Sequence, residues 1–380
     1  MKDKKPSLAT TQIRYFAGLD TLRFVAASLV VFTHIELVKY YKGYQALISQ
    51  AAIYELGKIA VSAFFVLSGF LITYLLLNEK QQTGKIKIGK FYLRRGLRIW
   101  PLYYLLIIIL FFVVPQFSPF YILQQSEELT SSFSIKLIFF LLLLPQLLFA
   151  AGYKAVPGAE QFWTIGSEEI FYLLWPWFLR KTTNLIFTIA ALIAAYHALK
   201  FFCYYYSGTN PFYYKAYLVF YYNRIDCLLI GALIGLLIFN CNDLWCKFVS
   251  SPIGLVTGVA FCSISFFYGL IQGGTDYFFY ALCFGFIVSW IALRPVKENN
   301  APRITEFIGK ISYSIYMWHF IIVLLAFALL QYVQGKTFDN SVLSNALLYL
   351  LSFGLTYLVS TVSYILIERV FLKWKEKLRT

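Results

Sequence analysis

The chain has 380 residues, of which 60% are hydrophobic and only 13% are charged, with a formal net charge of +15. A soluble domain carries about 25% charged residues, so this composition excludes an ordinary soluble protein and is typical of a helical membrane protein. The six cysteines lie in or beside apolar segments and show no metal-ligand spacing. They therefore predict neither a metal site nor a disulfide framework.

Eleven apolar segments follow one another along the chain, each close to the length of a membrane-spanning helix. The segment before them is polar and basic, so no cleavable signal peptide is expected. The apolar segments cover approximately 22–42, 58–78, 99–114, 135–151, 163–179, 184–206, 223–240, 250–271, 276–293, 311–332 and 343–367.

The basic residues decide between eleven spans and ten. They cluster in "EKQQTGKIKIGKFYLRRGLR", with seven Lys/Arg and one Glu, and again at the N-terminus, at 180–181, in 294–310 and in the C-terminal tail. The positive-inside rule makes these loops cytoplasmic, but eleven spans would put the last three outside. The segment 135–151 is short and contains Pro145, so a re-entrant or broken helix near 135–151 satisfies the rule.

The sequence therefore predicts an all-α integral membrane protein with about ten transmembrane helices and both termini in the cytoplasm. We expect a single membrane-embedded domain over 1–380, with cytoplasmic tails at about 1–18 and 369–380 and no appended soluble domain. Since topology accounts for the basic residues, nucleic-acid binding is not expected.

Two ionisable residues stand out in the first apolar segment. Arg23 and His34 are eleven positions apart, which is about 20° from a whole number of helical turns, so they share one helix face about 16 Å apart. Ionisable residues within a membrane normally face the bundle interior and mark a functional path. The alternative is that Arg23 anchors the helix at the boundary and His34 is a hydrogen-bonded core residue.

Further polar residues interrupt later spans. Glu168 and Glu169 lie in "FWTIGSEEIFYLLWPWF", Arg224 and Asp226 begin "NRIDCLLIGALIGLL", and His319 lies in "ISYSIYMWHFIIV". Helical rise puts His319 roughly 12 Å and His34 roughly 18 Å above the inner boundary, with Glu168 higher and Arg224 and Asp226 near the outer boundary. A channel, a transporter or an enzyme joining the two faces would use such a column of polar groups.

Six stretches together form a known pattern. "GLDTLRFVAASLVVFTH" spaces Arg23 and His34 by ten intervening residues, "SAFFVLSGFLITYLLL" contains Ser68, and "FYLRRGLRIWPLYYL" places Arg95 and Arg98 as R-x-x-R. "FWTIGSEEIFYLLWP", "NRIDCLLIGALIG" and "ISYSIYMWH" follow in order. These stretches resemble the motifs of the acyltransferase 3 family, integral-membrane enzymes that acylate sugars and other acceptors. The resemblance runs from about residue 14 to 370, with departures around Glu168 at positions 164, 166, 167 and 170.

The resemblance implies transfer of an acyl group, most often acetyl, from cytoplasmic acyl-CoA to a hydroxyl of a glycan or lipid-linked sugar. A hydroxyl attacks a thioester poorly until its proton is removed, and a histidine removes it at neutral pH. We expect His34 to be this base and Glu168 to orient its imidazole. Glu36 lies 200° from His34 and Glu169 lies 100° from Glu168 on their helices, so neither is expected to share this centre; Glu169 is assigned a supporting role.

Binding the phosphates of CoA requires positively charged side chains at the cytoplasmic face. Arg95 and Arg98 lie three residues apart, so they share a helix face and could hold phosphate oxygens together with Arg94; the alternative is positive-inside anchoring. The other candidate residues are expected to support the site or to line the substrate pathway: Arg23, His319, Arg224, Asp226 and Ser68. We expect no metal and no tightly bound cofactor, only acyl-CoA as donor and membrane lipids as surroundings.

Two other functional classes are compatible with the composition. A transporter or flippase for a polar glycan-type substrate would use the same polar column, but the chain shows no evident internal repeat. A structural or sensory membrane protein would not need so many buried charges. The expected location is the inner membrane of a bacterium, in a multi-pass arrangement; the acceptor, the length of the acyl group, a covalent intermediate and the oligomeric state stay open.

Overall fold

The computed structural model describes residues 16–116, 132–154, 156–240, 243–268, 276–294, 303–335 and 337–377. Within these ranges the chain is helical and contains no strand, which confirms the all-α prediction. The helices are α1 Ala17–Tyr41, α2 Gln50–Thr83, α3 Ile88–Ile108, α4 Phe133–Leu141, α5 Pro145–Ala150, α6 Trp163–Lys181, α7 Leu185–Tyr205, α8 Pro211–Tyr222, α9 Ile225–Phe239, α10 Asp243–Ser250, α11 Pro252–Tyr268, α12 Asp276–Leu293, α13 Arg303–Val333, α14 Val342–Ser363 and α15 Arg369–Lys377.

Seven helical segments of the described chain are long and apolar enough to cross a membrane. Two shorter apolar helices, within α11 and α12, accompany them. The ten passes expected would require these two helices and also α6, whose two glutamates and two terminal basic residues lower its apolarity, so the number of passes stays a prediction. The seven long segments are Gly18–Tyr41, Gln50–Thr83, Ile88–Gln116, Leu185–Tyr205, Pro211–Phe239, Phe307–Val333 and Val342–Trp374.

The segment predicted to be re-entrant is a broken helix. α4 has nine residues, about 13 Å of helix, which is too short to cross a membrane. The backbone breaks at Leu142–Leu144, where Leu143 has a φ of 61°, and Pro145 opens α5. Proline lacks an N–H and disfavours helical geometry in the residue before it, so the break lies where the sequence predicts.

A second break divides the span Pro211–Phe239 into α8 and α9 at Asn223 and Arg224. The sequence analysis places Arg224 and Asp226 near the outer boundary, and in the structure they lie at this break, fully buried in the bundle. An Oδ of Asp226 lies 3.6 Å from Nε2 of His197, and α7 continues for eight residues beyond His197, about 12 Å. The sequence analysis did not count α8 as part of this span, and the depth of the two residues in the membrane stays a prediction.

α2 is the central helix of the bundle. It begins after Ser49, whose hydroxyl accepts the N–H of Ala52, and ends at Gly84 in the left-handed conformation. Glycines let it approach α9 closely: a Cβ on Gly69 would lie 2.0 Å from the Leu228 carbonyl oxygen, and one on Gly231 would lie 2.2 Å from that of Val66. This tight contact fixes the position of the pocket-facing side chains of α2.

The two ends of the described chain lie at the same end of the bundle. Phe16, just before α1, packs on Tyr74 of α2 with ring centroids 5.1 Å apart, and a Cβ on Gly309 of α13 would lie 2.1 Å from that of Asp20. Beyond α14, α15 packs against α3. The cytoplasmic orientation of this end is an expectation from the basic loops.

Candidate active site

A cavity of about 400 Å³ opens among α1, α2, α3, α6 and α13. Its wall carries three arginines, two carboxylates and several hydroxyl groups among aromatic and aliphatic side chains. The polar lining residues are Asp20, Arg23, Ser68, Arg95, Arg98, Thr164, Glu168, Tyr172, Ser312, Tyr313 and Tyr316. We call this cavity the arginine pocket.

The three guanidinium groups come from two helices. Arg95 and Arg98 share a face of α3, as their spacing predicts, and Arg23 comes from α1, where its Nη1 donates to Oδ1 of Asp20 at 2.8 Å. The Arg95 guanidinium lies over the Tyr172 ring, 5.5 Å from its centroid. Even with both lining carboxylates ionised, the pocket keeps an excess of positive charge, which suits a phosphate-bearing ligand.

Arg94 does not line the arginine pocket with Arg95 and Arg98, so its position does not support the prediction that it binds acyl-CoA. Its Nη2 donates instead to Oε2 of Glu79 at 2.7 Å. The reason is helical geometry: Arg94 is turned 100° from Arg95. It therefore faces the end of α2, and its role here is to join α3 to α2.

Glu168 lines the arginine pocket but is not the partner of His34. Its Oε1 accepts the Ser68 hydroxyl at 2.7 Å and its Oε2 accepts the Tyr172 hydroxyl at 2.7 Å. The hydroxyl oxygens of Ser68 and Tyr172 are themselves 3.2 Å apart. Since both carboxylate oxygens are bound within this cluster, the predicted contact with the imidazole of His34 is not formed.

His34 meets His319 instead. The two rings lie edge to face with centroids 4.7 Å apart, and Phe320 packs on His34 at 4.8 Å. The sequence expected the two histidines at different depths, but α1 and α13 bring them side by side. His319 is fully buried, whereas His34 is partly exposed. We call the two residues the histidine pair.

Backbone carbonyls fix the tautomer of each imidazole. Nδ1 of His34 lies 2.9 Å from the Val30 oxygen, and Nδ1 of His319 lies 2.6 Å from the Tyr316 oxygen. A carbonyl oxygen only accepts, so Nδ1 carries the proton in both neutral rings and Nε2 carries a lone pair. Nε2 of His319 is buried without a hydrogen-bond partner among the described residues. Each Nε2 is thus chemically able to accept a proton.

An aromatic layer separates the arginine pocket from the histidine pair. Tyr316 lines the pocket, and its ring lies 5.4 Å from that of Phe64 and 5.7 Å from that of His319. Its hydroxyl is 2.8 Å from that of Thr164 and donates to the Gln161 carbonyl at 3.2 Å. The sequence analysis did not select Tyr316, although it lies three residues before His319 and so shares its helix face.

Tyr172 was also not selected from the sequence. It lies one turn beyond Glu168 on α6, at the spacing that puts two side chains on one helix face, and this was the available signal. The structure shows that it holds the carboxylate of Glu168 and supports Arg95. Ser68 and Arg23, assigned to supporting roles, both line the pocket.

The remaining candidate residues lie outside the arginine pocket. Glu169 turns towards α3, where the indole Nε1 of Trp100 lies 3.5 Å from its Oε2. The Arg224 guanidinium lies over the rings of Tyr277 and Tyr221, at 3.8 Å and 4.6 Å from their centroids, and Asp226 faces His197. Glu169 thus joins α6 to α3, whereas Arg224 and Asp226 join neighbouring helices around the break between α8 and α9.

The described residues contain no group of three or more His, Cys, Asp and Glu side chains that could hold a metal ion.

The ion pair of Glu36 and Lys39 lies on the other side of α1 from His34. It is fully buried, with 3.2 Å between the charged atoms, and the Tyr349 hydroxyl donates to Glu36 at 2.6 Å. Glu36 therefore faces away from the histidine pair, as its 200° separation predicts.

Comparison with known proteins agrees with the motifs. The chain is 28% identical over 378 residues to the O-acetyltransferase OatA of Staphylococcus aureus strain NCTC 8325, which covers 93% of this chain and 57% of that protein. A putative O-acetyltransferase of S. aureus strain COL is 26% identical over 390 residues, covering 95% of this chain and 58% of that relative. No solved structure gives a significant match.

This chain thus spans somewhat more than half the length of these relatives. The model of the acyltransferase domain of the acyltransferase 3 family matches residues 16–365, a range that includes every helix contributing to the arginine pocket and the histidine pair. The chain has several helices long and apolar enough to cross a membrane, and it therefore belongs to the acyltransferase 3 family of integral-membrane proteins.

Proposed function

We propose that this membrane protein is an O-acyltransferase that takes an acyl group, acetyl as in the O-acetyltransferase relatives, from cytoplasmic acyl-CoA and delivers it to a hydroxyl of a cell-surface or lipid-linked glycan. The observation that carries the proposal is the arginine pocket: three guanidinium groups and a surplus of positive charge in a cavity of about 400 Å³. The phosphates of CoA are the anions that such a set of guanidinium forks would hold.

The distribution of charge supports entry of the donor from the cytoplasm. The segment 79–98, which comprises the end of α2, the short loop and the start of α3, carries seven Lys and Arg, and α3 carries Arg95 and Arg98 from this end of the bundle into the pocket. In the membrane of a bacterium, this end then faces the cytoplasm by the positive-inside rule. The pantetheine arm would extend from the arginines towards Tyr316.

His34 is the proposed general base for the acceptor hydroxyl. Its Nδ1 is engaged with the Val30 carbonyl, so Nε2 is the atom that takes the proton. His319 packs against it and positions the ring. The acyl group and the histidine pair are then separated by the Tyr316 ring, so we expect this side chain to move during the reaction.

The test begins with purified protein and radiolabelled acetyl-CoA, followed by transfer of the label to glycan fractions. Mass spectrometry of glycans from cells with and without the protein then identifies the acyl group by its mass and the acceptor by its carrier. Label that passes from acetyl-CoA to a glycan in the presence of the protein supports the proposal. Uptake of glycan into vesicles without acetyl-CoA, with no label transferred, would overturn it in favour of a transporter.

A further inference from the structure

Ser68 has the surroundings of an activated nucleophile. Its hydroxyl donates to Oε1 of Glu168 at 2.7 Å, and the Tyr172 hydroxyl holds the other carboxylate oxygen at 2.7 Å. A hydroxyl nucleophile becomes reactive when an adjacent base takes its proton and a third group orients that base. The wall of the arginine pocket supplies all three: Ser68 as the nucleophile, Glu168 as the base and Tyr172 as the group that orients the base.

Other hydroxyl groups of the pocket have different partners. The Ser312 hydroxyl donates to the Gly309 carbonyl at 2.8 Å, and the Tyr313 hydroxyl donates to the Ile99 carbonyl at 2.8 Å. Thr164 is bound to the Gln161 carbonyl and to Tyr316. A backbone carbonyl cannot take up a proton, so these groups are not activated in this way.

The remaining hydroxyl, that of Tyr172, is less suited to attack than that of Ser68. Tyr172 is only 3% exposed, and its ring lies beneath the Arg95 guanidinium and against Phe91, with centroids 6.5 Å apart. Ser68 is partly exposed and its short side chain faces the cavity. Tyr172 therefore fits the part of the orienting group, and Ser68 that of the attacking group.

We infer that Ser68 accepts the acyl group first, as an ester, with Glu168 as its base. This inference rests on the proposed function, because it takes acyl-CoA as the donor. The Ser68 oxygen bonds to the thioester carbonyl carbon, the bond from carbon to sulfur breaks, and the Ser68 proton passes through the Glu168 carboxylate to the departing CoA thiolate. The products are acyl-Ser68 and CoA thiol.

The second half of the reaction regenerates the enzyme. The acceptor oxygen bonds to the ester carbonyl carbon and the bond to the Ser68 oxygen breaks. In the proposed function, His34 takes the proton from the acceptor hydroxyl. This proton then returns to the Ser68 oxygen.

The inference is tested by incubating the purified protein with radiolabelled acetyl-CoA and no acceptor. We expect CoA thiol to be released and acetyl to be retained on the peptide that contains Ser68, in a bond cleaved by alkaline hydroxylamine. Ser68→Ala should abolish both signals while acetyl-CoA still binds in calorimetry. Glu168→Gln should slow acylation by about 10²–10⁴-fold, the usual effect of removing a general base.

The matched control is Ser62→Ala. Ser62 lies on the same helix, but its hydroxyl donates to the Tyr277 carbonyl at 3.2 Å, away from the pocket, so this variant should retain the label on Ser68. If Ser68→Ala does not fold, Ser68→Cys provides the second test. We expect that variant to hold the acetyl group as a thioester, which neutral hydroxylamine cleaves.

Three outcomes would overturn the inference: label on another residue, such as His34 or Tyr172; wild-type transfer to the acceptor at full rate in Ser68→Ala; or no thiol release without acceptor from protein that acylates its acceptor. Each of these leaves acyl-CoA as the donor and so spares the proposed function. Failure of wild-type protein to bind acetyl-CoA and to acylate any acceptor would instead contradict the proposed function itself.

Discussion

The imidazole of His34 on α1 meets that of His319 on α13 edge to face, with ring centroids 4.7 Å apart. In each ring, Nδ1 is bound to a backbone carbonyl of its own helix. The pair therefore presents two Nε2 atoms with lone pairs. Hydrogen bonds to backbone carbonyls, and not to a carboxylate, fix the tautomer of each ring. The arginine pocket lies beyond Tyr316.

His34→Ala should lower kcat by about 10²–10⁴-fold, the usual effect of losing a general base. The affinity for acyl-CoA should stay unchanged, because His34 is not among the residues that line the arginine pocket. Steady-state kinetics and calorimetry on the same preparation measure the two effects. A folded His34→Ala protein with near-normal turnover would remove His34 from the mechanism.

Arg95→Ala and Arg98→Ala should each raise KM for acyl-CoA with a smaller effect on kcat. The loss of one charge-assisted hydrogen bond costs about 1.5–3 kcal/mol, or about 10- to 100-fold in affinity. Lysine at either position should rescue only in part, because it keeps the charge but loses the bidentate fork. KM and calorimetric Kd provide the measurement.

Arg94→Ala is the comparison for these variants, since it removes an adjacent arginine that pairs with Glu79 outside the pocket. We expect its KM to stay within a few-fold of the wild-type value. Unchanged acyl-CoA affinity in an Arg95→Ala, Arg98→Ala double variant would show that these two arginines only anchor the helix.

Gly69→Ala should destabilise the bundle, because the added Cβ would lie 2.0 Å from the Leu228 carbonyl oxygen and would push α2 away from α9. Overpacking of a tight contact costs about 1–3 kcal/mol. Gly354→Ala on α14 is the matched control, since a Cβ there meets nothing within 4 Å. Thermal unfolding in detergent should show a lower midpoint for Gly69→Ala alone; equal midpoints would contradict the close contact between α2 and α9.

The buried carboxyl of Glu160 should make the stability of the protein depend on pH. It lies in the turn that precedes α6, and burial raises the pKa of its carboxyl to about 8, against the ordinary value of 4.5. The folded state then binds the proton more tightly than the unfolded state does. The free energy of unfolding therefore falls as pH rises from about 4.5 to about 8 and is level above that range.

Glu160→Gln should remove this dependence, because an amide does not titrate. Unfolding midpoints measured at about pH 5 and about pH 9 should differ more in the wild-type protein than in the variant. An identical pH dependence of the two proteins would show that Glu160 is ionised in the fold over this range.

The sequence by itself determined the features that depend on local periodicity and composition. Helical spacing placed Arg95 and Arg98 on one face of α3, and Pro145 marked the broken helix of α4 and α5, because a proline acts on its own backbone and on that of the residue before it. Ordered motifs along the chain indicated the acyltransferase 3 family, which the match over residues 16–365 confirms.

Only the tertiary structure decided which distant side chains meet. Glu168 was predicted to face His34, but α2 and α6 bring it to Ser68, while α1 and α13 bring His34 to His319. The register between two helices depends on packing along their whole length, as at Gly69 and Gly231, and one helix sequence does not contain this information. The assignment of Ser68 as a nucleophile therefore became available only when the helices were packed together.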